Sequence, residues 1–291
     1  MKPVLKWVGG KQGLIDQMAP YMPAPAECRG YVAPFAGGEA LFFCRYSAVR
    51  PAWIADTNPE LIALYRAIRD DLEELIAETG AIEHIYHDFA DAEDDSENEA
   101  MYHEIAKQDT AGWPDFARGA RLLFLNRTCF NGLYRTNRAG KFNVAWGQKA
   151  TAKILFEDEL REAHTALQGV EIRCASFEDT CRDAPIGPGV FVFADPPYVP
   201  VSESASFDSY GPNKFSWQEQ GDLLTLLEQA VDKGATIVAT NSWAPEIVDL
   251  YQRSRAGFNI VEMSAARNVA CKAKSREAVG EMLASTWRAK Q

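Results

Sequence analysis

A short apolar run that ends in a polar motif is the feature that most constrains the fold of this chain. Residues Val190–Ala194 carry no polar side chain, which is typical of a strand buried on both faces of a sheet. Asp195, Pro196, Pro197 and Tyr198 follow at once, and the sequence after them is too rich in Ser, Asp and Gly to continue the strand. The motif is therefore predicted at the carboxyl edge of a sheet, where open α/β folds bind their ligands.

The residue types of this motif indicate a particular chemistry. The two prolines stiffen the backbone and donate no hydrogen bond, so the Pro196 carbonyl can act as an acceptor beside the Asp195 carboxylate. Two neighbouring acceptors suit an NH₂ group, and the Tyr198 ring offers a face to a planar heterocycle. The motif thus fits the alkylation of an amino group on a nucleobase, although proline pairs also end strands that have no catalytic role.

Strand-like and helix-like patterns alternate along the chain. Strands are predicted over residues 30–34, 52–55, 170–174, 190–194, 235–240, 258–264 and 280–286. Helices are predicted over residues 59–79, 117–126, 156–167, 217–233 and 245–251. This order predicts an α/β fold with a doubly wound, mainly parallel sheet. Residues 57–155 lack a βαβ rhythm, and we interpret them as a mostly helical insertion within a discontinuous catalytic domain of residues 1–56 and 156–291.

Charge is distributed unevenly, and this bears on the partner. The net charge of −11 argues at first sight against a nucleic-acid ligand. Residues 56–110, however, hold seventeen acidic and three basic residues, whereas residues 111–155 hold eight basic residues and one acidic residue. A basic segment beside an acidic one is compatible with DNA on one surface, although charge runs are commonly just solvated. Within the acidic part, residues 91–97 are predicted to form an exposed loop.

The basic segment contains a run in which Arg, Asn, aromatic residues and Gly alternate. It extends over about residues 128–147, and residues 137–140 can form the turn of a β-ribbon. Arg reads guanine edges, Asn can read adenine, and aromatic side chains stack on bases or wedge between them. A hairpin without a ligand would not need so many polar and aromatic side chains together. We therefore predict that this ribbon reads DNA.

Small residues and one acidic residue are candidates for cofactor binding. The first strand leads into Pro-Phe-Ala-Gly-Gly at residues 34–38, which lets a ligand approach the backbone but is not a G-x-G-x-x-G pattern. Asp56 ends the second strand eighteen residues after Gly38, where a carboxylate can accept hydrogen bonds from ribose hydroxyls. Asn58 and Pro59 already form a good helix start, so Asp56 is not needed as its cap.

The first eleven residues contain a third candidate segment. Trp7 and Lys11 flank a glycine pair, which suggests a loop with one stacking group and one hydrogen-bond donor. Taken alone, the segment is more safely interpreted as an exposed turn near the start of the chain.

The cysteines and the apolar runs bear on location. Six scattered cysteines without a C-x-x-C pair predict reduced and mostly buried thiols in a cytoplasmic protein. No apolar run reaches membrane-spanning length and the first residues lack a signal-peptide core, so we expect no membrane partner. His84, His87 and His103 share an acidic region without a ligand pattern, and we expect solvated helix residues rather than a metal site.

Taken in their order along the chain, these segments resemble the DNA adenine methyltransferase (Dam) family. The match covers residues 6–11, 34–38, 55–58, 126–147, 195–198 and 266–283. D-P-P-Y is moderately specific by itself, and the K-W-x-G-G-K start and the N-G-L-x-R…G-x-F-N-V run are highly specific together. The resemblance implies a site-specific, adenine-specific methyltransferase with a Rossmann-like sheet, S-adenosylmethionine as cofactor and double-stranded DNA as partner.

The resemblance also assigns residues to three sets. The set implied at the cofactor is Trp7, Lys11, Pro34, Phe35, Ala36, Gly37, Gly38, Asp56, Ser176, Phe177 and Asp195. The catalytic set is Asp195, Pro196, Pro197 and Tyr198. The set implied at the DNA is Lys6, Arg127, Phe130, Asn131, Leu133, Arg135, Asn137, Arg138, Lys141 and Ala145.

These sets predict a mechanism. The target adenine leaves the base stack and packs on Tyr198. Its amino group donates to Asp195 and to the Pro196 carbonyl, which localises the lone pair on nitrogen for in-line attack on the sulfonium methyl. No metal is required. The polar residues 199–214 are expected to form a lid over the base.

Two departures from the family pattern concern the choice of site. Phe130 stands where the Dam branch usually has Tyr, which keeps an apolar wedge and loses a hydroxyl. Ala145 stands where that branch has Pro, whereas Asn131, Leu133 and Arg135 match it. We expect a GATC-like site, in which one altered contact can shift discrimination by ~1–3 kcal/mol.

Other interpretations stay open. Related x-P-P-Y motifs serve amino methyltransferases acting on cytosine N4, RNA or a protein amide, although the basic ribbon favours duplex DNA and Asp195 favours adenine over an amide. A DNA-binding module without catalysis would have little reason to keep Asp195, Tyr198, Trp7 and Lys11. A dinucleotide-binding dehydrogenase would need the missing glycine pattern. The sequence does not decide between a solitary enzyme, a phage-encoded protection against restriction and the partner of an endonuclease in a restriction-modification system.

Overall fold

The computed structural model describes residues 1–91, 94–137, 139–198, 215–265 and 279–288. The predicted lid at residues 199–214, the ribbon residue Arg138 and residues 266–278 with Cys271 lie outside this part. The chain forms two compact units, which we name the helical unit and the sheet unit. The helical unit comprises Met1–Gly10, Gly37–Ser47 and Asn58–Gln168, and the sheet unit comprises Lys11–Ala36, Ala48–Thr57 and Gly169–Gln291.

Strands and helices alternate on either side of a long helical stretch. The strands are β1 (Gly30–Ala33), β2 (Ala52–Asp56), β3 (Val170–Cys174), β4 (Val190–Ala194), β5 (Thr236–Ser242), β6 (Asn259–Ala265) and β7 (Val279–Ser285). The α-helices are α1 (Ile15–Met18), α2 (Pro59–Asp70), α3 (Leu72–Asp88), α4 (Ser96–Lys107), α5 (Asp115–Thr128), α6 (Glu157–Leu167), α7 (Phe177–Asp183), α8 (Trp217–Asp232) and α9 (Pro245–Gln252). Short 3₁₀ turns span Lys11–Leu14, Ala19–Tyr21, Pro25–Glu27, Phe89–Asp91 and Phe130–Gly132, and a π-helical turn spans Phe42–Tyr46.

All seven strands join one sheet in the order β3-β2-β1-β4-β5-β7-β6. The pairs from β3 to β5 are parallel, and β7 pairs antiparallel with both β5 and β6. The predicted α/β class with a mainly parallel, doubly wound sheet is therefore confirmed. The strand order reverses between β1 and β4, which is the point where such sheets bind ligands.

Burial of apolar side chains holds α8 and α9 against the sheet. Leu223 and Leu227 of α8 and Ile247 of α9 share one core cluster with the inward residues of β4 and β5. Helix α8 begins at a capping box, in which the Ser216 hydroxyl and the Glu219 carboxylate each accept a backbone N–H of the other residue. These contacts fix α8 against the sheet close to the end of β4.

The helical unit departs from the prediction in two places. Residues 59–79, predicted as one helix, belong to α2 and α3, because Asp71 between them leaves the helical region at φ −128° and ψ 44°. The loop predicted over residues 91–97 is wrong at its end, since Ser96 begins α4. Helix α4 forms because Tyr102 and Ile105 pack into a core cluster with Phe124 of α5.

The predicted β-ribbon is present in reduced form. Isolated antiparallel bridges join Cys129 with Trp146 and Thr136 with Phe142. Asn137 forms the turn between them, because its side-chain oxygen accepts the backbone N–H groups of Ala139 and Lys141. The chain thus doubles back at the predicted place without forming a regular two-stranded ladder.

Two further expectations concern cysteines and membranes. The described cysteines are free thiols; Cys129 and Cys181 are buried, Cys28 and Cys44 are half-buried and Cys174 is exposed. The expectation of mostly buried thiols is therefore wrong for these residues. Among the described helices, none is both long enough and apolar enough to span a membrane.

Candidate active site

In the sheet unit, Asp195 follows β4 directly and is held by two side chains. Oδ1 accepts the Thr240 hydroxyl over 2.6 Å, and Oδ2 lies 2.9 Å from Nζ of Lys11. Ala194 of β4 pairs with Ala239 of β5. The residues that follow these two, Asp195 and Thr240, therefore also lie side by side. The Lys11 side chain is only 3% exposed, so this ion pair is shielded from solvent on the lysine side.

Tyr198 lies at the same edge and is anchored by a residue near the end of the chain. Its hydroxyl donates to Oε2 of Glu281 over 2.8 Å, and Nζ of Lys11 lies 4.7 Å from the centre of its ring. Burial, and then the charges of Asp195 and Glu281, raise the pKa of Tyr198 well above its usual value. The phenol therefore remains protonated and acts as a donor.

Two buried amides brace the second proline of the motif. Gln220 of α8 donates from Nε2 to the Pro197 carbonyl over 3.3 Å. Asn241 of β5 donates in turn to Oε1 of Gln220 over 3.0 Å. Among the described residues, none donates a hydrogen bond to the Pro196 carbonyl. The backbone of the motif is thus fixed from α8 while the Pro196 oxygen stays available as an acceptor.

The other predicted cofactor residues of the sheet unit follow the carboxyl ends of β1, β2 and β3. Phe35 stacks on Phe177 with ring centres 5.6 Å apart and meets Phe215 edge-on. Asp56 ends β2 and is partly exposed. The Ser176 hydroxyl accepts the Asp179 N–H as the cap of α7. An acidic group and an aromatic cluster therefore follow neighbouring strands at one edge of the sheet.

In the helical unit, Trp7 packs against the predicted glycine turn. A Cβ added at Gly38 would lie 3.0 Å from Cβ of Trp7, and one at Gly37, whose φ is +47°, would lie 3.1 Å from its ring. The Trp7 ring also stacks on the Tyr134 ring, with ring centres 5.3 Å apart and an interplanar angle of 21°. Close packing against Trp7 is therefore sufficient to explain why both positions are glycine.

A buried asparagine joins the start of the chain to the turn that carries Phe130. The side chain of Asn126 accepts the N–H of Lys6 and donates to the carbonyls of Lys6 and Gly132. Phe130 is 47% exposed at this turn, and Asn131 next to it adopts a left-handed conformation at φ 57°. An exposed apolar ring on a fixed turn has the form expected of a wedge.

Arg135 and Arg127 have different environments within the predicted DNA set. Exposed Arg135 donates from Nη2 to both the backbone oxygen and Oδ1 of Asn143, which extends its guanidinium along the ribbon. Arg127 instead donates to the Val4 carbonyl and covers the Phe156 ring at 4.3 Å. The other described members are near the ribbon or its base: Leu133, Asn137, Lys141 and Ala145.

Sequence reasoning missed several members of this site. Glu281, Thr240, Gln220 and Asn126 each contact a predicted residue. The sequence contains one signal, because Glu281 is the only charged residue of its strand, β7. Strand residues that carry a charge into a sheet are uncommon and often functional.

The sheet order and the D-P-P-Y motif at its edge are typical of an amino methyltransferase, and known proteins similar to this chain belong to that class. A family model of the D12 class N6 adenine-specific DNA methyltransferases matches residues 7–269. The chain is 31% identical over 291 residues to the "Type II methyltransferase M.MjaIII" of Methanocaldococcus jannaschii, covering 97% of this chain and 98% of that protein. It is 29% identical over 285 residues to the "DNA adenine methylase" of Escherichia coli (strain K12), covering 96% and 93%.

A phage protein is also similar. The "DNA N-6-adenine-methyltransferase" of Escherichia phage P1 is 34% identical over 283 residues, which is 97% of this chain but 35% of that longer protein. The chain therefore belongs to the D12 class N6 adenine-specific DNA methyltransferases. It is an enzyme that methylates adenine in DNA, and this confirms the resemblance inferred from its motifs.

Proposed function

We propose that the enzyme transfers a methyl group from S-adenosylmethionine to N6 of an adenine flipped out of duplex DNA, within a GATC-like site. The observation that carries the proposal is the fixed Asp195 carboxylate, which Thr240 and Lys11 hold at the edge of the sheet beside Tyr198.

The residues present fit the cofactor. Asp56 would accept the ribose hydroxyls, and the cluster of Phe35 and Phe177 would cover the purine. Ser176 and residues 34–36 would approach the ligand through the backbone, and Lys11 completes the set within the sheet unit. When bound, S-adenosylmethionine supplies an electrophilic methyl group on a positively charged sulfur.

The catalytic residues then act on the base. Tyr198 stacks on the adenine, while Asp195 and the Pro196 carbonyl accept the two N–H bonds of its amino group. These acceptors turn the nitrogen lone pair out of the ring system, and positioning supplies much of the rate gain. As the bond from nitrogen to the methyl group forms, the bond from that methyl group to sulfur would break and leave a neutral thioether. The nitrogen is then positively charged and loses a proton to Asp195 or to water. This chemistry calls for acceptors and a stacking surface rather than for a metal.

The helical unit contains the residues proposed to select the site. We assign target recognition to residues 57–155, with the ribbon at about 128–147 and with Lys6 beside it. Arg135 would read a guanine edge and Phe130 would enter the base stack. The free thiols of the described cysteines support a cytoplasmic location. Three relatives are named Type II methyltransferases, and on this basis an endonuclease partner is proposed for this enzyme as well.

The test uses labelled S-adenosylmethionine and unmethylated plasmid DNA. We expect label in N6-methyladenine after digestion to nucleosides, lost in Asp195→Ala and retained in Asp249→Ala, which removes an exposed carboxylate of α9. Label in 4-methylcytosine would show that the methylated base is cytosine and not adenine. Transfer by Asp195→Ala at the wild-type rate would refute the proposed role of the carboxylate.

A further inference from the structure

Lys11 stands between two carboxylates of the sheet unit. Its Nζ lies 2.9 Å from Oδ2 of Asp195 and 3.8 Å from Oε2 of Glu281. The lysine is buried, and the two acidic side chains are 20% and 17% exposed. A buried ammonium requires an acceptor at all times, because an uncompensated charge in this environment is costly.

Both oxygens of Asp195 are engaged in this arrangement. Thr240 donates to Oδ1 and Lys11 to Oδ2. The proposed function, on which this inference rests, requires Asp195 to accept a further hydrogen bond from the target amino group. A carboxylate that faces an ammonium ion shares its negative charge with that ion and polarises an N–H donor less strongly.

Glu281 is placed to relieve this competition. It lies in β7 opposite Ser242 of β5, so the antiparallel pairing brings its side chain to the edge where Asp195 and Thr240 lie. It accepts the Tyr198 hydroxyl on the same oxygen that faces Lys11. An ionised carboxylate has capacity for about four hydrogen bonds, so Oε2 can accept Lys11 as well.

We propose that Glu281 is a positioning residue that receives the Lys11 ammonium group when the target adenine engages Asp195. In this state Nζ of Lys11 moves from Asp195 towards Glu281. A movement of about 1 Å is enough to bring the present 3.8 Å distance to Glu281 down to hydrogen-bond length. Asp195 then acts on the amino group with its full charge, and Tyr198 stays anchored for stacking. Glu281 itself touches neither the base nor the methyl group.

The first test separates the charge of Glu281 from its size. Glu281→Gln keeps the length and an acceptor for Tyr198 but removes the charge, whereas Glu281→Asp keeps the charge and shortens the side chain. We expect the single-turnover rate of methyl transfer to fall by roughly tenfold to hundredfold in Glu281→Gln and by less in Glu281→Asp. Thermal unfolding and the Kd of S-adenosylhomocysteine should stay close to wild type. The opposite order of the two rates would overturn the proposal.

A double-mutant cycle identifies the partner through which Glu281 acts. In a Tyr198→Phe background, which lacks the hydroxyl, Glu281→Gln should still lower the single-turnover rate by its full factor. In a Lys11→Met background the same substitution should change the rate little, because no ammonium is left to move. If the effect instead disappears with Tyr198→Phe and persists with Lys11→Met, Glu281 only anchors the tyrosine and the proposal is wrong.

The two proposals fail in different ways. A failure of the proposed function appears as wild-type transfer by Asp195→Ala. A failure of the present inference appears as an inactive Asp195→Ala beside a Glu281→Gln enzyme that transfers at the wild-type rate.

Discussion

At the scale of single residues, Thr240 and Lys11 give Asp195 its orientation. The Thr240 side chain is fully buried, and its hydroxyl meets one carboxylate oxygen while Lys11 meets the other. The carboxylate cannot rotate without breaking at least one of these contacts. A hydrogen bond to a charged acceptor contributes roughly 1.5–3 kcal/mol, which is enough to hold one orientation. Preorganisation of this kind lowers the cost of reaching the reactive geometry.

Thr240→Val tests this orientation. Valine has nearly the shape of threonine but no hydroxyl, so Oδ1 of Asp195 loses its donor while the sheet stays packed. We expect the single-turnover rate of methyl transfer to fall about tenfold, with little change in the Kd of S-adenosylhomocysteine.

Thr240→Ser is the matched control for this substitution, because it keeps the hydroxyl and removes only a methyl group. It should transfer at a rate close to wild type. Equal loss in the valine and serine variants would show that packing, and not the hydrogen bond, is what matters at this position.

The sequence identifies some of these residues and not others. Asp195 and Tyr198 stand out because two prolines and an aromatic follow an apolar strand. Thr240 does not, because threonine is common in strands and its hydroxyl need not do anything there. The pairing of Tyr198 with Glu281 spans 83 positions and depends on the insertion of antiparallel β7 beside β5. The charge of Glu281 marks the residue within its strand, but local patterns do not show that β7 lies beside β5.

At the scale of elements, strands are more predictable than the helices of residues 57–155. The apolar runs of the sequence predict every strand of the sheet to within two residues at each end. Buried strands consist mainly of apolar residues, and polar residues mark their ends sharply. The apolar spacing of residues 59–79, in contrast, continues through Asp71, where the backbone breaks. Helix α4 packs against Phe124 of another helix, and its first two residues lie within the acidic segment 91–97 predicted as a loop.

The base of the ribbon is a close backbone contact that admits only glycine. The N–H of Gly147 donates to the Thr128 carbonyl, and a Cβ at this position would lie 2.6 Å from the Cys129 carbonyl oxygen. Gly147→Ala must therefore separate two backbone segments. We expect a loss of about 2 kcal/mol or more in the free energy of unfolding, measured by urea titration, and weaker DNA binding.

The same substitution elsewhere provides the comparison. Gly221 lies within α8 with nothing within 4 Å of an added Cβ. Gly221→Ala should raise the free energy of unfolding by roughly 0.5–1 kcal/mol, because alanine favours the helix. A Gly147→Ala protein as stable as Gly221→Ala would show that the ribbon base is loosely packed.

At the scale of the whole molecule, a chain of net charge −11 binds a polyanion. The binding surface must then depend on a few local cations, since the remainder of the protein repels DNA at long range. Lys141, exposed beside the ribbon turn, is proposed to be one of them. Each phosphate contact contributes about 0.9 to the slope of log K against log salt concentration.

Lys141→Ala should reduce that slope by about 0.9 in fluorescence anisotropy titrations of a duplex at several salt concentrations. Arg253→Ala is the control, because it removes the same charge from an exposed position on the sheet unit where Arg253 pairs with Asp249. Its slope should equal that of wild type. Equal changes in both variants would mean that net charge, and not contact with a phosphate, controls binding.

The contact of Lys11 with Asp195 and Glu281 has a consequence for how the enzyme comes into being. These three residues lie near the beginning, in the second half and close to the end of the 291-residue sequence. A ribosome that has made the five parallel strands has not yet made Glu281. A growing chain can thus fold much of its sheet while its reactive carboxylate still lacks one of its neighbours. We therefore expect the enzyme to become fully competent only after synthesis has passed Glu281.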